Sequence, residues 1–319
     1  MKQNKIILAI AVMIITIATH GQQNPVYNQY VFNPMSINPA YAGTKQWLNL
    51  NNMYSKQWAG LEGSPQTISV SLEGPVNEKM GLGVQYVNDR IGAQTQQGLF
   101  LNYSYILRLT DTWKLSMGLT AGLSYFTING GMLEGKIVDD PRIPKTKASA
   151  ARFDPKTGVF LYSDRFYFGF SVNDLLGGLI ESKNGMNINQ HRHYYITSGY
   201  VFDIAQDFKL KPSILIREDF TAQTNIDLST YMLYKEIFWL GATYRFGANI
   251  LTDPSLDNSI RGRDAVVLMT DWNITNTLTI GYGYTFSIGA LSKFSGHEVV
   301  LNVLFPQSDR SVPANPRLF

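Results

Sequence analysis

The sequence contains no cysteine among its 319 residues. Disulfide bonds, thiolate metal sites, thiol catalysis and a lipid-modified cysteine are therefore excluded within it. Charged residues are scarce, at 16%, and the net charge of +3 is too small to predict a nucleic-acid partner. Long apolar runs are also missing. No segment approaches the roughly twenty residues of a transmembrane helix, and the mean hydropathy is −0.09.

The N-terminus is typical of a secretory signal peptide. Lys2 and Lys5 precede an apolar run at residues 6–18, and small or polar residues follow up to Gly21. A run of about a dozen apolar residues is too short to cross a bilayer as a helix. We therefore expect residues 1–21 to be removed when the protein is exported.

What the chain has instead is a period-two alternation, repeated for about ten residues at a time. From Trp113 to Tyr125 every odd position is apolar, while the even positions carry lysine, serine, glycine or threonine. Such a strand has one face suited to lipid and one suited to water. Together with 13% aromatic residues and 27 glycines, this pattern predicts a transmembrane β-barrel, in which half of each strand faces lipid.

The predicted fold is all-β: an antiparallel outer-membrane β-barrel of about 14 strands, an even number as bacterial barrels require. The strands are predicted near residues 47–54, 66–73, 80–88, 98–109, 113–127, 153–162, 166–174, 192–202, 207–217, 225–234, 237–246, 264–274, 277–287 and 296–305. The predicted organisation is a signal peptide (1–21), an N-terminal periplasmic or lumen segment (22–46), the barrel (47–305) and a C-terminal tail (306–319).

The predicted connections alternate between short and long. The short ones are residues 74–79, 110–112, 163–165, 203–206, 235–236 and 273–276, and the longest of the others are 128–152, 175–191 and 247–263. Outer-membrane barrels place tight turns in the periplasm and long loops outside the cell. We therefore expect the short connections to face the periplasm.

Charged residues support the same pattern, because a lysine or arginine facing lipid at mid-membrane costs roughly 2–4 kcal/mol. By strand parity the charges fall on the polar face, which predicts a set of lumen charges. The set is Arg108, Lys114, Lys209, Lys211, Arg217, Asp227, Arg245 and Glu298. Asp271 has the same parity.

The segment after the signal peptide does not alternate. It is rich in asparagine, proline and aromatic residues, which favour turns and extended backbone. Pro34 and Pro39 prevent a regular helix through it. We expect it to fold into the periplasmic mouth or the lumen, with a disordered leader as the alternative.

Two stretches of this segment resemble the N-terminal signature of the PorP/SprF family. They are Gln29-Tyr30-Val31-Phe32-Asn33 and Asn38-Pro39-Ala40-Tyr41-Ala42-Gly43. Further matches lie at residues 57–60, 63–67, 81–83, 89–92, 154–158, 192–195, 211–213 and 296–298, so the resemblance spans nearly the whole predicted mature chain.

The resemblance implies an outer-membrane protein of the type IX secretion system of Bacteroidetes. Members of this family help export or display large secreted adhesins that carry a particular class of C-terminal signal domain. Other members contact periplasmic machinery of the same system, and gliding motility is one outcome. The resemblance supplies no catalytic residues.

The expected function is a non-catalytic barrel that binds a secreted adhesin or its C-terminal signal domain and supports its export or surface anchoring. The expected partners are outer-membrane lipid, that adhesin and other type IX components, with no cofactor. The candidate partner-binding residues are Tyr30, Phe32, Asn33, Asn38, Pro39, Tyr41, Gln57 and Trp58. Exposed aromatic anchors dominate many protein interfaces. The alternative function is a passive or substrate-selective porin.

Other polar clusters have structural explanations that we favour. His191 and His193 share a strand face but lack an evident third metal ligand. The acidic loop around residues 253–264 does not have the spacing of a calcium-binding loop. The basic loop 135–150 could face an acidic partner or lipopolysaccharide phosphates. A third function, an enzyme acting on lipid, requires a lipid-facing histidine beside a serine. The tail after Pro306 is a candidate contact for other machinery.

Overall fold

The computed structural model describes residues 28, 30, 33–45, 47–132, 146–181, 187–248, 250, 264–288 and 291–306. The predicted signal peptide, residues 307–319 of the predicted tail, Phe32, and most of the basic and acidic loops lie outside these residues.

Eighteen β-strands occur within the described residues. They are β1 Leu48–Ala59, β2 Gln66–Pro75, β3 Met80–Ile91, β4 Gln94–Arg108, β5 Lys114–Asn129, β6 Lys147–Phe153, β7 Lys156–Tyr162, β8 Phe166–Asn173, β9 Gly178–Glu181, β10 Asn187–Gln190, β11 His193–Tyr200, β12 Phe202–Ala205, β13 Phe208–Glu218, β14 Thr224–Tyr234, β15 Phe238–Ala248, β16 Ala265–Asn273, β17 Leu278–Ser287 and β18 Ser295–Phe305. Short 3-10 helices span Pro34–Ser36, Pro39–Tyr41 and Gly130–Met132.

Fourteen of these strands form a closed antiparallel barrel. Each pairs with the next around the ring, in the order β1 to β5, β7, β8, β11 and β13 to β18. The ring closes because β18 pairs along β1, from Leu48 opposite Phe305 to Ala59 opposite Ser295. This architecture confirms the predicted barrel of about 14 strands. The additional strands are short: β6 extends the pairing of β5, β12 pairs with β13, and β9 pairs with β10.

The two ends of the barrel differ in their connections. At one end, which we call the short-turn end, the chain turns back tightly, as between Arg108 and Lys114 and between Tyr162 and Phe166. The other end, the long-loop end, carries the connection of residues 130–155, which includes β6. Two connections there are shorter than the alternation suggested, at residues 92–93 and 219–223. Gly92 permits the first turn because its φ is +54°. Among the described residues, no helix is long and apolar enough to cross a membrane.

The outer face of the barrel wall is apolar, whereas the inner face carries both polar and apolar side chains. On β5, Met117, Leu119 and Leu123 are 41%, 60% and 55% exposed, whereas Ser116 and Ser124 are completely buried. Large exposed hydrophobic side chains recur on the outward positions of the other barrel strands. A monomer in water rarely exposes a continuous apolar surface of this size, so the outer face is suited to lipid.

We predict that Leu119→Arg destabilises the barrel by about 2–4 kcal/mol in lipid vesicles, because it places a cation at mid-wall on the lipid face. The matched control is Thr112→Arg, which lies in an exposed turn at the short-turn end and should change stability by less than about 1 kcal/mol. Urea unfolding of the vesicle-inserted protein, followed by tryptophan fluorescence, measures both variants. Equal stability of the two variants would contradict the lipid-facing assignment.

Candidate functional site

The N-terminal segment, meaning described residues 28, 30 and 33–45, lies inside the barrel. Every one of these residues is buried. Asn28 contacts Arg245 and Glu298 near the long-loop end, and Gly43 contacts Glu73 near the short-turn end. The segment therefore runs down the interior before the chain enters β1 at the short-turn end.

A buried charge network binds the part of the segment that lies nearest the long-loop end of the barrel. Asp227 accepts hydrogen bonds from Arg217 at 2.8 Å and from Arg245 at 2.8 and 2.9 Å. Arg245 also donates to the side-chain oxygen of Asn28 at 3.0 Å, and the backbone N–H of Asn28 donates to Glu298 at 3.1 Å. Charge-assisted hydrogen bonds in a buried site are strong and directional. They link four strands of the wall, β13, β14, β15 and β18, to one residue of the segment.

Proline and asparagine shape the middle of the segment. Each of its two 3-10 helices begins with a proline, Pro34 and Pro39, whose fixed φ suits a first helical position. The Asn38 side chain accepts from the backbone N–H of Ala40 at 2.9 Å and donates to the carbonyl of Val159 at 3.0 Å. Asn38 therefore caps the second helix and ties it to β7.

Glycines in the wall make room for this segment. A Cβ on Gly118 would collide with the backbone of Ala40, and a Cβ on Gly81 would collide with the carbonyl of Ala42. These positions lack side chains because another stretch of backbone approaches closely.

The part of the segment nearest the short-turn end of the barrel is held by one carboxylate and one hydroxyl. Gly43, at φ +70°, donates its backbone N–H to Glu73 at 2.6 Å. The carbonyl of Ala42 accepts from the Ser104 hydroxyl at 2.6 Å. The segment is thus bonded to the wall at both ends and in the middle.

Tyr30 is the apolar anchor of the segment. It is 2% exposed and belongs to a buried cluster that includes Tyr195, Tyr231, Trp239 and Met269. Its hydroxyl lies 3.4 Å from that of Ser213. Part of the interior is therefore a packed aromatic core, which the expectation of a polar lumen missed. Tyr231 shares the inward parity of Asp227 on β14, and Trp239 shares that of Arg245 on β15, so strand parity did signal these two aromatic residues.

The predicted lumen charges divide into two groups. Lys211, Arg217, Asp227, Arg245 and Glu298 are buried inside the barrel. Arg108, Lys114 and Lys209 have inward parity but lie at the short-turn end. Arg108 pairs with Asp111 and is 68% exposed, Lys209 pairs with Glu236, and the Lys114 ammonium lies 6.0 Å from the Tyr162 ring. Parity specifies the face of a strand, not the depth along it.

The candidate partner-binding residues fall into two groups according to their position in the barrel. Tyr30, Asn33, Asn38, Pro39 and Tyr41 are buried and contact their own barrel, as when Tyr41 packs 3.9 Å from the Phe160 ring. Gln57 and Trp58 lie apart from them, at the long-loop end of β1.

Trp58 is half-buried and has a φ of +50°. The pairing of β1 with β18 shifts register between Lys56 and Ala59, which marks a bulge at this tryptophan. Non-glycine residues in this backbone region, and bulges at barrel rims, concentrate at functional sites.

Several motifs that are far apart in sequence meet inside the barrel near the long-loop end. Asp89, Asp154, Lys156 and Tyr195 line one cleft with Ser36 of the N-terminal segment. We call this space the outer cleft. Sequence reasoning did not find it, because no local pattern signals a contact between strands so distant in the chain.

The described residues include two of the alternative sites, the histidine pair and a possible lipid-facing serine and histidine. His193 is buried and bonds through Nδ1 to Asp174 at 2.9 Å. Within the described residues, no group of three histidine, aspartate or glutamate side chains is arranged to hold a metal ion. Ser295 and His297 do share the outward face of β18, at 3.4 Å, and Tyr282 bonds the other ring nitrogen at 2.8 Å. A tyrosine hydroxyl stands where an activated serine would need a carboxylate, so this arrangement gives weak support to catalysis.

We predict that Asp227→Asn lowers the free energy of unfolding by about 3–5 kcal/mol, because it leaves two buried guanidinium groups without their carboxylate. The control is Asp203→Asn, which breaks an ion pair with Arg165 whose side chains are 57% and 46% exposed; it should cost less than about 1 kcal/mol. Urea unfolding in vesicles measures both. Similar losses for the two variants would show that the buried network is not a major source of stability.

Comparison with known proteins gives one family. A family model described as "Type IX secretion system membrane protein PorP/SprF" matches residues 19–305. No curated protein matches the sequence.

Three solved structures illustrate the structural likeness. The CymD monoaromatic hydrocarbon channel is 11% identical with a TM-score of 0.48, over 89% of this chain and 94% of that one. A Pseudomonas aeruginosa FadL homologue is 12% identical with a TM-score of 0.47, over 89% and 95%. The Ralstonia pickettii toluene transporter TbuX is 8% identical with a TM-score of 0.49, over 86% and 94%. Likeness at this level carries no information about what this chain binds. The family match includes every strand of the barrel, and the chain therefore belongs to the PorP/SprF family of type IX secretion system membrane proteins.

Proposed function

We propose that this protein is a non-catalytic docking barrel of the outer membrane. It binds a large secreted adhesin, or the C-terminal signal domain of that adhesin, and supports its export or its anchoring at the cell surface. Adhesion or gliding of the cell would be the outcome. The observation that carries the proposal is the interior of the barrel, which is occupied by the protein's own N-terminal segment.

The filled interior supports docking over passage. A segment bonded to the wall through Asn28, Asn38 and Gly43 would have to leave before a polypeptide could cross. Each buried polar group that loses its hydrogen bond when the segment leaves costs about 1–3 kcal/mol. A barrel that is stable with its interior filled acts through its outer surfaces.

The porin alternative was based on inward-facing charges. Arg217, Asp227 and Arg245 have inward parity, but they bond to one another and to Asn28. Charges committed to such a network do not line a water-filled path. This arrangement supports the docking proposal over an open porin.

The long-loop end is the proposed docking surface. It would face the exterior if the short turns lie in the periplasm, as in other outer-membrane barrels. Trp58 is our candidate anchor there, because it is a partly exposed tryptophan held in a strained backbone conformation beside a bulge. The five buried candidates, Tyr30, Asn33, Asn38, Pro39 and Tyr41, instead pack the N-terminal segment against the barrel wall.

A tagged form of the protein, purified from native outer membranes, should retain one large secreted protein. Trp58→Ala should weaken this association by at least about 2 kcal/mol, or roughly thirtyfold in affinity. The control is Trp272→Ala, an exposed tryptophan near the short-turn end, which should leave recovery unchanged. Normal surface display of every type IX cargo in a strain that lacks this protein would overturn the proposal.

Planar-bilayer recordings test the closed interior. The full-length protein should show no steady conductance, because its N-terminal segment and the inward side chains packed on it occupy the interior. Removal of residues 22–45 should open a conducting path, and a barrel-shift assay on gels checks that the shortened protein is folded. A double variant, Asn28→Ala with Asn38→Ala, provides a milder test and should show brief openings. Porin-like conductance of the unaltered protein would favour the porin alternative.

A further inference from the structure

Two cations interrupt the apolar outer face of the barrel near its long-loop end. Lys56 on β1 shares the outward parity of Tyr54, and Arg90 on β3 shares that of Tyr86. Among the described residues of the fourteen ring strands, no other lysine or arginine has outward parity. A cation on the lipid-facing side is costly at mid-membrane and inexpensive at the level of the headgroups. Two of them close together favour an anionic partner in the membrane.

Strand pairing places Lys56 and Arg90 on either side of one residue. Gln66, the first residue of β2, lies opposite Lys56 of β1 and opposite Arg90 of β3. Gln66 is itself exposed on the outer face. Adjacent strands are about 4.8 Å apart, so about 10 Å of backbone separates the two cations. Their long side chains can therefore reach one group bound above Gln66. We call Lys56, Gln66 and Arg90 the basic row.

The positive charge of the basic row is not neutralised by the protein itself. Among the described residues, neither Lys56 nor Arg90 forms an ion pair with a carboxylate. Asp89, the neighbour of Arg90 in the chain, turns away and accepts from Thr67 at 2.5 Å. Two formal positive charges therefore remain available to an anion outside the wall.

The residues between the basic row and the middle of the wall indicate its depth in the membrane. Tyr54 and Tyr86 are outward on β1 and β3 and are 42% and 40% exposed. Closer to the middle, Val70 and Val84 are 38% and 37% exposed. In outer-membrane barrels a girdle of aromatic residues marks each edge of the apolar band. The basic row lies beyond these tyrosines and therefore at the level of the lipid headgroups.

Neutral polar side chains extend the basic row onto β4. Thr95 lies opposite Arg90, and Gln97 lies opposite Asn88. Thr95, Gln97 and Asn88 all have outward parity, and the Gln97 amide donates to the Tyr86 hydroxyl at 3.2 Å. Amide and hydroxyl groups both donate and accept hydrogen bonds, as sugar hydroxyls require. This surface therefore favours a headgroup that carries sugar as well as phosphate.

The other side of the ring has no comparable surface among its described residues. At the same end of β13, β15 and β16, outward positions are occupied by Ile216, Phe246 and Val266. The basic row is therefore a local feature of β1 to β3 and not part of a continuous basic belt.

We propose that the basic row binds a phosphate group of lipopolysaccharide, the phosphorylated glycolipid of the outer leaflet. Arg90 donates two parallel hydrogen bonds to the phosphate, Lys56 supplies the second positive charge, and Gln66 donates from its amide. The acyl chains lie along the outer face of β2, against Ile68 and Val70. The proposal rests on the orientation in which the long-loop end faces the exterior. It does not depend on the docking of an adhesin.

Native mass spectrometry of the full-length protein in detergent, titrated with short-chain lipopolysaccharide, tests the site. Lys56→Gln and Arg90→Gln should each weaken binding by about fivefold, and the double variant by about thirtyfold, since each removes one cation from the membrane surface. The control is the double variant Lys79→Gln with Arg108→Gln. It removes the same two charges from exposed positions at the short-turn end and should leave binding unchanged.

The wild-type protein alone provides a second test, which does not depend on the folding of a variant. Dephosphorylated lipopolysaccharide should bind about thirtyfold more weakly, because the phosphate is what the two cations recognise. Phosphatidylglycerol should bind at least about tenfold more weakly, because it lacks the sugar hydroxyls. Inorganic phosphate should displace the bound lipid no better than sodium chloride of equal ionic strength.

Three results would overturn the proposal. The first is equal binding of the phosphorylated and dephosphorylated glycolipid. The second is preferential binding of phosphatidylglycerol, or displacement by inorganic phosphate beyond the effect of salt. The third is unchanged affinity in Lys56→Gln with Arg90→Gln when the gel shift shows that the variant barrel is folded.

Discussion

A closed ring of fourteen strands encloses more space than a small barrel whose inward side chains meet at its axis. In this protein the N-terminal segment occupies part of that space. The contact between segment and wall explains features that would otherwise be unrelated: glycines in the middle of strands, a buried network of arginine and aspartate, and a cluster of inward aromatic residues. Gly81 and Gly118 lie against the backbone of the segment, the charge network bonds to Asn28, and the aromatic cluster includes Tyr30.

The same contact constrains the function. The wall bonds the segment at its upper end through Asn28, in its middle through Asn38 and at its lower end through Gly43. The segment and the wall are therefore parts of one packed interior. The surfaces left to bind partners are the two ends of the barrel and its lipid-facing side, and the strained Trp58 lies at one of those ends. The proposed docking function therefore depends on the rim of the barrel and not on an open lumen.

The sequence predicted the fold well because the alternation of side chains is a local signal. Each of the fourteen predicted barrel strands overlaps a strand of the ring, and the polar face assigned to Arg217 and Asp227 is the inward one. The position of a residue along the barrel axis was harder to predict, because Arg108 and Lys209 share the inward parity but lie at a water-accessible rim. The outer cleft and the Asn28 network could not be predicted from the sequence. They join residues as far apart as Asn28 and Glu298, which no local periodicity relates.

The central claim is that the N-terminal segment is enclosed within the folded barrel, and cysteine reactivity tests it directly. The chain has no cysteine, so a single one can be introduced at Ala40, which is fully buried beside Gly118. The account predicts that Ala40→Cys in the folded protein resists a membrane-impermeant maleimide and reacts once the protein is unfolded, whereas Thr112→Cys reacts in both states. Equally rapid labelling of the two cysteines in the folded barrel would contradict the account.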